Sequence, residues 1–222
     1  MPATALMASW NRDLTNLVPD ALPEHVVTVG TDLLARWEEP QRHYHRLTHL
    51  VEMFWALDEL EDAGEIDANA ALLARVAGWF HDAVYDPTAA AGANEADSAW
   101  LATDTLTGLG VSADALQTVE SLIALTAGHD LGIQTATQRA FHDADLWIFA
   151  SDADRFDSYC EQIRREHAHV SGPAYCAARG YVLRAFADRE ALYHTAYARA
   201  EWEPRAVANL DRELARLHAA GG

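Results

Sequence analysis

Ala77-Gly78-Trp79-Phe80-His81-Asp82-Ala83-Val84-Tyr85-Asp86 is the stretch on which the fold turns, because it sets a charged pair inside an apolar helical pattern. From Leu72 to Val84 the residues Leu73, Val76, Ala77, Phe80 and Val84 recur at the spacing of a helix with about 3.6 residues per turn. The other side is Ala71, Ala74, Gly78 and Ala83, with Arg75 the only charge before His81 and Asp82. A helix of this kind is expected to be covered nearly all round. A carboxylate buried there costs several kcal/mol unless something pairs with it. Arg75, on the same face two turns earlier, is one partner, with His81 then a satisfied core histidine; a divalent metal ion is the other.

Two flanking segments favour the metal. Upstream, Arg42-His43-Tyr44-His45-Arg46-Leu47-Thr48-His49-Leu50 follows the turn at Pro40. Its pattern predicts a helix from about Tyr44 to Leu60, with Leu47, Leu50, Val51, Phe54 and Leu57 as its apolar stripe. His45 and His49 are four apart, so that helix would present both on one face together with Glu52, and two imidazoles one turn apart suit a metal. A solvated face fits the same pattern. Downstream, Phe141-His142-Asp143-Ala144-Asp145-Leu146 puts two carboxylates and a histidine before an apolar run. Asp143 reads as an N-cap and Asp145 as a residue of the first turn, where negative charge is favoured; one can cap while the other ligates.

Arg42-x-Tyr44-His45-x-x-x-His49, Trp79-Phe80-His81-Asp82-x-Val84-Tyr85-Asp86, Asn94-Glu95-x-x-Ser98 and Asp143-Ala144-Asp145-Leu146 together resemble the HD superfamily of metal-dependent phosphohydrolases, in its bacterial branch of predicted HD phosphohydrolases. The likeness continues through Ile163-Arg164-x-Glu166, Tyr175, Arg179, Leu192-Tyr193 and Ala206-x-Ala208-Asn209-Leu210. It implies an all-α, single-domain helical bundle and metal ligands at His49, His81, Asp82 and Asp145, with Asp143 the alternative distal ligand. Superfamily members with two metals use further histidines. His45, His129, His142 and Asp143 are the candidates here for a second metal or a phosphate contact. The His-Asp-x-x-Glu pattern of some nucleotidase relatives is absent, because Tyr85 stands three residues after Asp82. Glu95 and Asp86 are therefore both candidates for the acid/base residue.

The 222 residues fit one domain, with scaffold helices over 1–40, a metal-site core over 41–150, helices over 151–219 and a loose tail at 220–222. Hydrophobic residues at 50% and charged ones at 23% exclude a disordered chain. The formal charge is −18, and all 16 basic residues are Arg. General attraction to a nucleic-acid backbone is not expected of such a chain. The start of the chain lacks the basic and apolar regions of a secretory signal, no apolar run is long enough to span a membrane, and Cys160 and Cys176 are too few for a disulfide scaffold or thiolate metal site. Cytoplasmic residence is the expectation.

The remaining segments read as helices over about 4–18, 23–37, 94–108, 112–127, 151–170, 173–187, 189–199 and 204–219. Imidazole and carboxylate ligands suit manganese, iron, cobalt, nickel or zinc without selecting among them. The expected reaction is metal-assisted hydrolysis of a small phosphorylated substrate, a nucleotide foremost, with Arg42, Arg164 or Arg179 gripping phosphate and Tyr44 or Tyr85 stacking on a base. A di-iron oxygenase of the same fold, and a domain that binds a nucleotide or partner without turnover, are the alternatives.

Overall fold

A computed structural model describes residues 2–129, 132 and 135–221. Among them the chain forms helices and no strand. The first two helices, α1 (Pro2–Leu17) and α2 (Pro23–Trp37), pack as a hairpin. Pro23 opens α2, where its missing N–H leaves nothing unsatisfied. The hairpin is close because Gly30 lies against Trp10: a Cβ there would come within 2.5 Å of the indole. Trp10 is fully buried and donates its Nε1–H to the Val26 carbonyl at 2.7 Å.

The chain then forms α3 (Leu47–Asp62), α4 (Ala68–Phe80), α5 (Ala93–Gly108), α6 (Ala113–Leu125) and α7 (Ala136–Asp145). As the sequence predicts, α4 is the central helix, packed by α1, α3, α5, α6 and α7. Ala71, Ala74, Val76, Ala77, Gly78, Trp79 and Phe80 are all buried. Gly78 allows α3 to approach, since a Cβ there would lie 2.8 Å from Phe54. Full burial of a side chain such as Phe80 contributes about 1.5–3 kcal/mol. A 3-10 turn (Leu146–Ala150) leads into α8 (Ala153–Glu166), α9 (Gly172–Ala187), α10 (Ala196–Glu201) and α11 (Glu203–Gly221), with α11 lying against α9 and the 3-10 turn.

Several expected boundaries move. The third helix begins at Leu47, not near Tyr44, so His45 precedes it and does not share a helix face with His49. The central helix stops at Phe80, before His81 and Asp82. Asp143 and Asp145 lie in the last turn of α7, which starts from a Thr135/Gln138 capping box, so neither opens an α-helix; Asp145 stands directly before the 3-10 turn, without a side-chain cap bond. Residues 189–195 are irregular, and α11 runs on through Gly221 where a loose tail was expected; Gly222 lies outside the described residues. No helix among the described residues is long and apolar enough to cross a membrane.

Candidate metal centre

Distant side chains hold the chain where α4 ends. Trp37 donates its Nε1–H to the carbonyl of Trp79 in the last turn at 2.9 Å, and the Arg42 guanidinium donates to the carbonyls of the turn beyond the helix, Asp82 at 2.7 Å and Ala83 at 3.2 Å. Helix-end carbonyls need such partners when buried. His81 caps the helix, and its Nδ1 lies 2.9 Å from the Gly78 carbonyl, which makes Nδ1 the donor and turns Nε2 outward, where the neutral ring presents a lone pair. The following turn is held from α5. Asn94 clasps the Asp86 backbone with two 3.0 Å bonds, and the Val84 N–H donates to the Ser98 hydroxyl at 3.1 Å.

Opposite His81 stands His49, the third residue of α3, with its Nδ1 3.0 Å from the Tyr44 hydroxyl. Both outer nitrogens are thus engaged, and the two Nε2 atoms meet at 3.2 Å. Carboxylates close on the same point. The Asp82 oxygen lies 3.0 Å from His81 Nε2 and 3.7 Å from His49 Nε2, and the Asp145 oxygen 3.4 Å and 3.1 Å from them. With metal–ligand bonds of about 2.1 Å, two ligands stand about 3.0 Å apart at a right angle and about 3.4 Å apart at the tetrahedral angle. The observed separations span those edges. His49, His81 and Asp82 form a group, with donor atoms all within 4.8 Å of one another, that can hold a metal ion.

The electrostatics have the same character. Burial opposes a proton on His81, but Asp82 and Asp145 outweigh it and lift its pKa well above the usual histidine value. Burial likewise opposes ionisation of Asp82 and Asp145, and the neighbouring histidines, His81 first, overcome it and hold both well below the usual carboxylate range. The two acids make a buried negative well that requires positive charge, whether a proton on His81 or a metal ion. Arg75 does not supply that charge. It pairs with Asp13 at 2.9 Å and reaches Asp58 and Glu61, away from Asp82.

The centre opens into a cleft of 420 Å³ whose polar wall includes His45, Glu95, His129, Arg179 and Arg189, and whose apolar wall includes Leu146, Ile148, Phe149, Val182 and Phe186. Of the two acid/base candidates, Glu95 lines this cleft. Asp86 does not; it is exposed, and its carboxylate accepts bonds from the Thr88 N–H and hydroxyl, which lower its pKa. Among the arginines singled out from sequence, Arg179 lines the cleft, half-buried, over the Tyr159 ring and bonded to its hydroxyl. Arg42 is committed to backbone carbonyls and Glu39, and Arg164 donates to the carbonyls of His167 and Val170 beside Tyr175. Neither lines the cleft. Tyr44 is buried against His49, and Tyr85 lies between the His45 ring and the Arg42 guanidinium with its hydroxyl on Glu166, so neither ring offers a free face to a base.

The further histidines separate. His45 stands at the cleft with its Nδ1 2.7 Å from Glu166, and its pKa is raised: burial opposes the charge, while Asp82 and Glu166 prevail. His129, at a left-handed φ of 52°, brings its Nε2 to 3.6 Å from Asp145; burial drops its pKa to about 4. His142 is fully buried and does not line the cleft. Asp143 is no metal ligand: its carboxylate accepts from the His194 N–H, the Thr195 N–H and the Thr195 hydroxyl at 2.7–3.0 Å, and faces His142 Nδ1 at 3.0 Å. Asp145 is therefore the distal acid at the centre. Reasoning from sequence missed Arg189 and His194, which lie where a helix was expected, and saw Glu166 only as a motif letter. No protein-family model matches the chain, and neither does any curated protein or solved structure.

Proposed function

We propose that the chain is a metal-dependent phosphohydrolase of the HD superfamily, acting on a small phosphorylated molecule. The observation that carries this reading is the meeting of two imidazole Nε2 atoms at 3.2 Å between two carboxylates, at the base of a cleft that also holds Glu95 and Arg179. His49, His81, Asp82 and Asp145 would hold the ion. When bound, a divalent ion supplies Lewis acidity and lowers the pKa of water. Glu95 accepts the proton of the attacking water. Arg179 and Arg189 orient phosphoryl oxygens and offset the charge that develops on them. His129, neutral at pH 7 because burial lowers its pKa to about 4, offers a hydrogen bond and no charge. The apolar wall takes the body of the substrate and excludes water.

The test is metal analysis of protein purified without chelator, joined to a phosphate-release screen over sugar phosphates, nucleotides and dinucleotides with manganese, cobalt, nickel, iron and zinc. Release that requires metal and vanishes in Asp82→Ala is the expected result. Bound metal without release from any phosphate ester would refute the hydrolase. Iron with O2-dependent oxidation would replace it by the oxygenase reading.

A further inference from the structure

The α9 helix turns an exposed apolar face to the metal cleft. Val182, Ala185 and Phe186 all line it, and at i, i+3 and i+4 they share one side of the helix. Val182 and Ala185 are exposed, Phe186 is half-buried, and Tyr181, which also lines the cleft, is 77% exposed. The exposed face of a surface helix is ordinarily polar, and an apolar one bordering a cleft marks a surface that a ligand covers.

This surface is continuous with the metal centre. Leu146 directly follows Asp145, and both line the cleft. From Leu146 the 3-10 turn brings up Ile148 and Phe149, and the Phe149 ring meets that of Phe186 edge-on with centroids 5.4 Å apart. Three residues before Val182 on α9 stands Arg179, also at the cleft. Its guanidinium engages the ring and hydroxyl of Tyr159 and, among the described residues, forms no ion pair with a carboxylate. The aromatic rings of this wall are already covered in part: Tyr159 carries Arg179 at 5.3 Å, and Phe186 carries Arg189 at 4.6 Å. A planar base would have to displace a guanidinium to stack there, whereas an alkyl chain needs only the apolar surface.

We propose that the Val182–Ala185–Phe186 face binds the alkyl body of a phosphomonoester, so that the cleft selects alkyl phosphates over nucleotides and sugar phosphates. Turnover rests on the hydrolase reading of the candidate metal centre, which takes the phosphoryl end; the apolar face does not. Attack of water on phosphorus breaks the P–O bond to the alkyl group, one proton of the water goes to the departing oxygen, and the products are the alcohol and inorganic phosphate.

Alkylphosphonates have no P–O bond to the chain and so separate binding from turnover. Ethyl-, butyl- and hexylphosphonate are titrated by calorimetry into metal-loaded wild type, Val182→Asn and the control Val207→Asn, an exposed valine outside the cleft. Phosphate release is measured in parallel from hexyl phosphate, adenosine monophosphate and ribose 5-phosphate. Affinity should rise about fourfold for each methylene covered, with a heat capacity of binding that grows more negative as the chain lengthens. The rise should flatten in Val182→Asn and persist in Val207→Asn. Affinity independent of chain length, a rise that Val182→Asn leaves unchanged, or no saturable binding to wild type would each overturn the proposal. Faster release from the nucleotide or the sugar phosphate than from hexyl phosphate would overturn it and leave the hydrolase standing. The expected chain-length dependence with no release from any ester would uphold the alkyl-binding face and sink the hydrolase reading alone.

Discussion

Replacing Glu166 by Gln tests how the candidate metal centre is supported. Its Oε1 accepts the N–H groups of His43 and Tyr44 at 2.7 Å and of His45 at 3.0 Å, and its Oε2 meets His45 Nδ1 at 2.7 Å and the Tyr85 hydroxyl at 2.9 Å. Burial opposes its charge, but the His45 ring and these backbone donors prevail and bring its pKa from 4.5 to about 2. At about 1.4 kcal/mol per pKa unit, that carboxylate contributes about 3 kcal/mol at neutral pH. Glutamine keeps one acceptor and loses the charge. The expected cost is about 2–3 kcal/mol, or a fall in Tm of about 4–12 °C for a chain of this size. Because the folded pKa of Glu166 is depressed, its contribution is complete above about pH 4.5, and about 1.4 kcal/mol of it is gone at about pH 3.5. His45 has the opposite sign: its pKa is raised, so its share is complete below about pH 6.5 and fades as pH climbs through the raised value. The gap between wild type and Glu166→Gln should therefore be widest between these limits and narrow on either side. Thermal melts across pH decide the matter. A difference in Tm of less than about 2 °C at pH 6, or one that stays constant down to pH 3.5, would refute the account.

Metal removal has a signed consequence. The raised pKa of His81 means that its proton stabilises the metal-free protein below the usual histidine pKa, a contribution lost as pH rises through the raised value, so metal uptake at pH 7 should displace a proton. Calorimetry in buffers of differing ionisation enthalpy should show that release; binding whose heat is independent of buffer would contradict it. A chelator should remove the linkage stabilisation, about 2.7 kcal/mol for metal at a hundred times its Kd, and so lower Tm by about 5–11 °C in wild type and not in Asp82→Ala. Tyr44→Phe removes the hydroxyl from His49 Nδ1 and should weaken metal binding about 10–100-fold with the helical circular dichroism unchanged; unaltered affinity would show that the contact orients nothing. Gly30→Ala forces a Cβ to 2.5 Å from Trp10 and should cost about 1–3 kcal/mol by urea denaturation, whereas a stabilised variant would mean that the α1–α2 hairpin yields.

How much of this was legible in the sequence depends on how far away the deciding partner lies. The α2 helix reads correctly from Pro23 to Trp37 because its start signal and periodicity are local. The all-α class and the central position of α4 follow from apolar periodicity in the same way. The end of α4 falls four residues before the one the periodicity predicts, because the side chains that hold the chain there, Trp37 on the last turn and Arg42 on the turn beyond it, lie about forty positions upstream. Asp143 was misread for a similar reason: its partners are His194 and Thr195. The Thr135/Gln138 capping box was local and could have been seen, and it alone would have moved the start of α7 ahead of His142. The histidines and acids of the centre were found as residue types. Their convergence depends on α3, α4 and α7 packing together, and no single segment encodes that.

The placement of the centre at helix ends carries a further physical consequence. His81 caps the C-terminus of α4, and Asp145 is the last residue of α7. Both helices therefore direct the partial negative charge of their C-termini toward the region where the two carboxylates already lie. An acid at a helix C-terminus is opposed by the macrodipole, and the Asp145 side chain is largely withdrawn from solvent, so neither its surroundings nor the helix favours its ionised form. Only the imidazoles do. Tyr44 and the Gly78 carbonyl hold the outer nitrogens of those imidazoles, so the Nε2 atoms cannot turn away from each other to relieve the contact. Two backbone dipoles, two acids and two constrained imidazoles all favour a cation at one point, and a proton on His81 balances only part of that charge. A divalent cation there offsets more of it than the proton does, which is why the metal reading accounts for this arrangement better than an ordinary buried ion pair.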